Sequence, residues 1–199
     1  MKYVNQLLYG HIPYITRWEM ETEEDREKGK RTTVRSSGCG LCAAVMVADR
    51  LLPNCAFELE DALELAVQVG AGHLRGTDYA RFAPAFAEKL GLSWEPTDDP
   101  EALRQCLRTG GVAVIHVDGD REGHIGVFTH GGHYITAISE DPDGRIVILD
   151  PSYKEGKFEE EGRKGLVEIK NGVLALCTME VLMEETIKKK PGFHLFQRK

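Results

Sequence analysis

Two cysteines three apart, Cys39 and Cys42, stand at the mouth of the apolar run CGLCAAVMVADRLL. Three chemistries use thiols in that setting. A C-G-x-C at a helix start is a redox signature, because the helix N-terminus stabilises a thiolate. A redox fold places that motif directly after a buried strand, whereas RTTVRSSG precedes it here and is polar and turn-like. A structural zinc site needs four ligands, and His130 and His133 of THGGHY would complete one with the two cysteines. On a strand those two rings face opposite ways unless Gly131-Gly132 bends the chain. The third chemistry makes one cysteine a nucleophile. A free thiol is only about 3% thiolate at neutral pH, and a helix N-terminus with a neighbouring imidazole raises that fraction. Cys39 is the first position at which the helix can begin; Cys42 lies a turn deeper and reads as a small buried apolar residue.

The nucleophilic chemistry requires a histidine from elsewhere, and seven are present. His133 opens the strand-like HYITAIS, after a Gly-Gly that permits close backbone approach. Asp150 ends the next such run, RIVILD, and DPDG between them is a hairpin signal. Antiparallel pairing of the two runs sets His133 and Asp150 at one end of the sheet. Asp150 then accepts from one ring nitrogen while the other faces Cys39, the logic of nucleophile, base and orienter. His124 and His130 are the rival bases. Each residue also has a plain structural role: a buried thiol, a strand histidine, a turn-forming aspartate. It is the ordered set that argues for chemistry.

Apolar spacing predicts helices over 39–52, 59–69, 78–90 and 100–109, bounded by Pro53, Gly70, Gly91 and Gly110-Gly111. Thr77 or Asp78 caps the third, and Asp99-Pro100 opens the fourth. Strands are predicted over 112–117, 124–130, 133–139, 145–150, 166–170, 173–177 and 193–197, with Asn171-Gly172 as a type I′ turn. A short helix over 179–186 carries Met179, Leu182 and Met183 as a core stripe. Residues 153–165, YKEGKFEEEGRKG, read as an exposed loop. Helices first and antiparallel strands after define an α+β fold, one domain over residues 1–199.

A net charge of -7 argues against a nucleic-acid footprint, which needs clustered Lys and Arg. No stretch reaches the roughly 20 apolar residues of a membrane helix, and the N-terminus MKYVNQLLYGHIPYI lacks a secretory apolar core. Five cysteines, an odd number without framework spacing, suit a reducing compartment. The expectation is a cytoplasmic protein without a cofactor.

SGCGLCAAVMVADRL, GGHYITAI and DGRIVILDPS, with LRTGGVAVIHV between the first two, resemble the papain-like cysteine peptidases of the bacteriocin-processing, double-glycine type. The resemblance spans about residues 12–152. It implies a papain-like fold, with an N-terminal helical layer carrying the Cys and a C-terminal antiparallel sheet carrying the His and Asp. It also implies Cys39 as nucleophile, His133 as general base and acid, Asp150 as orienter, and a peptide or protein as substrate. IPYITRWE resembles the family's stretch that supplies an oxyanion-hole Gln, with Arg17 standing at that position. Arg17 can donate, but it is longer and always charged. Loss of one oxyanion donor costs about 10²–10³ in rate. Two alternatives therefore stay open: a binding module that kept the fold and lost the rate, and an amide acyl transferase on the same triad. Tyr134 and Trp18 are candidates for a cleft wall, with core packing as their structural role.

Overall fold

The structure is a computed structural model that describes residues 2–14, 22–24, 27, 31–73 and 76–199. Arg17 and Trp18 lie outside the described residues. A single turn of helix, α1 (Val34–Ser37), leads into α2 (Cys39–Leu51) through Gly38. A Cβ at Gly38 would come within 2.6–2.8 Å of Val34, so only glycine lets the two helices meet at this angle. Every residue of α2 from Cys39 to Ala48 is buried. It is apolar all round, as a helix through the middle of a core must be.

Three further helices follow, the second and third of them with the predicted caps. Helix α3 (Leu59–Gln68) starts with a capping box between Glu58 and Asp61. After the ribbon β1 (Gly72–His73) and β2 (Gly76–Thr77), α4 (Tyr79–Leu90) is capped by the Asp78 carboxylate and closed by left-handed Gly91. Helix α5 (Pro100–Arg108) is capped by Asp99 and has Pro100 in its first turn. Between α4 and α5 lies β3 (Leu92–Thr97), a strand the sequence pattern does not announce. It sits at the sheet edge, where Pro96 removes no central ladder bond.

The remaining strands are β4 (Val112–Val117), β5 (His133–Glu140), β6 (Ile146–Leu149), β7 (Glu168–Lys170), β8 (Leu174–Cys177) and β9 (Phe193–Arg198). Helix α6 (Met179–Glu185) precedes the last, with Met179 and Leu182 buried. The strands form one antiparallel sheet ordered β3-β9-β4-β5-β6-β8-β7. Asn171 and Gly172 both take positive φ, 49° and 81°, in the β7–β8 turn, as a type I′ hairpin requires. Along β4, Val112 and Val114 enter the core shared with α2, α3 and α4. Ala113, Ile115 and Val117 enter a second core with α5 and α6. Burial on both faces explains why this strand reads as a continuous apolar run.

Two sequence expectations are corrected. Residues 124–130 form no strand; they belong to a loop, 118–132, in which Asp120 N donates to His130 O and the backbone of Gly126 and Val127 is held by side chains instead of a neighbouring strand. Gly126 N donates to Asp120 (2.9 Å), Val127 N to the buried Glu185 carboxylate (2.8 Å), and the buried Arg163 guanidinium holds Gly126 O (2.9 Å). Carboxylates satisfy the donors a ladder would have used. Residues 153–165 are not simply an exposed loop either: Lys157, Phe158 and Arg163 are buried. Phe158 packs edge-on against Phe128 and stacks with Tyr153, and this apolar contact draws the charged run inward.

Candidate active site

Cys39 is the first residue of α2, so its sulfur meets the positive end of a 13-residue helix. Helix α2 packs across β5, which begins with His133. Hairpin β5–β6 pairs Thr136 with Leu149 and turns through Asp141–Gly144, with Asp141 Oδ1 accepting from Asp143 N and Arg145 N. Asp150 follows β6 directly, so it emerges at the same end of the sheet as His133. The predicted juxtaposition is formed.

Nε2 of His133 donates to Oδ1 of Asp150 at 2.8 Å, and the other ring nitrogen is left to hydrogen-bond Cys39. Burial opposes charge on the thiol. The hydrogen bond and charge of His133, with the backbone N–H groups of Tyr134 and Gly40, outweigh it and bring Cys39 below its ordinary pKa. Burial likewise disfavours the imidazolium, yet hydrogen bonds to Asp150 and Cys39 raise His133 to about 9. Asp150 is fully buried, but the Lys157 ammonium and then His133 hold it well below the usual carboxylate range. The arrangement favours a thiolate–imidazolium pair with a charged carboxylate behind it. Cys42 is different: burial and the neighbouring Cys39 push its thiol up.

Sequence patterns did not single out Ser152 or Lys157. Ser152 donates its N–H to Asp150 Oδ1 (2.8 Å), and its hydroxyl lies 3.1 Å from both that oxygen and His133 Nε2. Lys157 donates to Asp150 Oδ2 (2.5 Å) and to Ser152 Oγ (2.8 Å). Ser152 closes the DPS motif and was visible to that extent; Lys157 sat in a charged run whose one inward signal was the adjacent Phe158. Behind the aspartate the N-terminal segment acts as a strap. Tyr3 Oη donates to Asp150 O (2.7 Å), Gln6 N to Pro151 O (2.7 Å) and Asn5 Nδ2 to Tyr153 O (2.8 Å).

Cys39 and His133 lie in the wall of a cleft of about 770 Å³. Its lining includes a stack of Tyr79, Tyr134 and His116, with ring separations of 4.5 and 4.2 Å. Tyr134 thus packs in the core and borders the cleft at once. His116 and His194, also in the cleft wall, are kept neutral: burial, and for His116 also Lys189, lowers them to about 3 and about 4. The rival histidines are engaged by other carboxylates, although His130 also lines the cleft. His124 is bonded to Glu185 (2.6 Å), and His130 is exposed on Asp120 (2.9 Å). His130 is therefore not gathered with the cysteines, and among the described residues no cluster of three or more His, Cys, Asp or Glu is placed to hold a metal ion.

No family model matches the chain, and no curated protein matches it. Solved structures do. The peptidase domain of Streptococcus ComA, a bifunctional ABC transporter involved in quorum sensing, matches with a TM-score of 0.51 at 15% identity, over 81% of this chain and 91% of that one. A Bacillus anthracis protein provisionally described as a C39-like peptidase matches with a TM-score of 0.54 at 12% identity, over 81% and 89%. The chain therefore has the fold of the C39 peptidase domains, a papain-like α+β fold. No helix among the described residues is long and apolar enough to cross a membrane.

Proposed function

We propose that this chain is a cysteine peptidase acting on peptide or isopeptide bonds, with Cys39, His133 and Asp150 as its catalytic residues. The observation that carries the proposal is the buried His133–Asp150 hydrogen bond, with His133 and Cys39 both in the wall of one cleft and Cys39 at a helix N-terminus. The C39 peptidase fold supports it.

In this reading the Cys39 thiolate attacks the substrate carbonyl carbon, forming a C–S bond and an oxyanion. The oxyanion collapses, the C–N bond breaks, and the His133 imidazolium gives its proton to the departing amine. Neutral His133 then takes a proton from water, which attacks the thioester and releases the acid, restoring thiolate and imidazolium. Asp150 keeps the ring oriented throughout. The Cys39 backbone N–H and the Arg17 side chain are the candidate oxyanion donors. If an amine replaces water, the same steps give acyl transfer. One domain over residues 1–199 and an intracellular location complete the proposal; five free cysteines suit a reducing compartment.

The test is hydrolysis of a peptide library by the intact protein and by Cys39→Ala. The proposal expects the variant to lose on the order of 10⁴-fold or more on any responsive peptide. A variant as active as its parent would remove the proposal. Arg17 in place of Gln favours a second reading, a binding module with a live thiol. That reading expects peptide binding and Cys39 alkylation without turnover.

A further inference from the structure

The Asp150 carboxylate is held at both oxygens, and the second is held by a group that orienting the imidazole does not itself require. Oδ1 takes His133 Nε2, Ser152 N and Ser152 Oγ; Oδ2 takes Lys157. Donor counting fixes the directions. The ammonium only donates, so Ser152 Oγ accepts from Lys157. Its own hydrogen then goes to Asp150 Oδ1, because the proton on His133 Nε2 is already directed at that oxygen. The four side chains form one closed network in which no carboxylate oxygen can turn without breaking a charge-assisted bond.

We infer that Lys157 is a positioning residue for the proposed triad, fixing the rotation of the Asp150 carboxylate and sharing its charge with His133. The inference rests on the triad reading above. Lys157 is 4% exposed and its partner Asp150 0%, so their pairing is not a solvated surface contact. It has a direct electrostatic consequence. While it is charged, the Lys157 ammonium on Oδ2 competes with the imidazolium for the same carboxylate, and so limits how tightly His133 holds its proton.

The charged and titratable groups facing this network come from four elements. Cys39 faces His133 from α2, and His116 faces it from β4. Tyr3 faces Asp150 from the N-terminal strap, and Arg163 and Glu160 face Lys157 from its own loop. Among these, Lys157 is the cation in direct contact with the Asp150 carboxylate.

The experiment is NMR titration of the His133 ring resonances in the intact protein, in the parent, Lys157→Met and Lys157→Arg. The parent midpoint is expected near 9. Lys157→Met should move it up by about one unit, the scale on which a neighbouring charge acts. Lys157→Arg keeps the charge and should leave it within a few tenths. A purely structural lysine would lower the melting temperature and leave the midpoint in place, and that result overturns the inference alone. If Lys157→Met does not fold, Lys157→Gln keeps a donor without the charge and must raise the midpoint in the same direction; no rise overturns the inference. A parent midpoint near the ordinary 6.5 overturns the triad reading and this inference together.

Discussion

At the residue scale the site is governed by what burial does to charge. Asp150 and Lys157 are both out of water, so each is tolerable only because the other is there. Asp150→Ala strands a buried ammonium and should cost about 3–5 kcal/mol in urea unfolding; a loss under about 1 kcal/mol would contradict the pairing. The pH dependence of stability has opposite signs for the two partners of the aspartate–histidine bond. Asp150 has a depressed pKa in the fold, so its contribution is present above the unfolded value of about 3.9 and is lost as pH falls below it. His133 is raised to about 9, so its contribution is complete below the unfolded value of about 6.5 and is lost as pH rises through about 9. The Cys39 thiol, depressed in the fold, adds stability as pH rises toward its unfolded value of about 8.5 and opposes the His133 loss. In Cys39→Ala, where that contribution is gone, denaturant midpoints should plateau between about pH 4 and 6.5 and fall on either side. A midpoint of that variant still climbing from pH 7 to 9.5 would contradict the assignment. Cys39, His133 and Asp150 were legible because each stands at an element boundary with a local signal. Lys157 was not, because burial of a lysine depends on a partner seven residues earlier on a different turn.

At the element scale, caps and turns were readable and the loop across the cleft was not. Asp78, Asp99 and Asn171-Gly172 announce two helix starts and a hairpin by their own chemistry. Loop 118–132 contains HIGVFTH, which looks like a strand until Glu185, 58 residues on, takes the Val127 N–H. Its glycines divide by what surrounds them. A Cβ at Gly119 would fall 2.3 Å from the backbone oxygen of His130, and one at Gly131 would meet nothing within 4 Å. Backbone on the receiving side cannot yield as a flexible side chain can. Gly119→Ala should destabilise by about 1–3 kcal/mol and slow peptide hydrolysis, because the loop lines the cleft. Gly131→Ala should unfold within about 0.5 kcal/mol of the parent. Equal stabilities for the two variants would contradict the loop packing.

At the scale of the whole molecule, the order of elements told the fold class and little of its topology. Helices before strands already imply a helical layer against a sheet, and Cys39 is delivered from the first while His133 and Asp150 come from the second. The place of β9 between β3 and β4 was not legible, because pairings of residues 78–106 apart leave no mark on local periodicity. The same holds for the N-terminal strap, whose bonds from residues 3–6 to residues 150–153 brace the aspartate from behind. The long-range contacts thus supply what the local patterns cannot: one end of the sheet held rigid beneath a helix N-terminus. The central claim is that this assembly keeps Cys39 ionised by means of His133. Alkylation of Cys39 by iodoacetamide at pH 6, followed by mass spectrometry in the parent and in His133→Ala, tests it most directly. The account predicts rapid modification of Cys39 in the parent and at least a tenfold slower reaction in the variant. Equal rates in the two proteins, or a parent thiol inert until above pH 8, would contradict it.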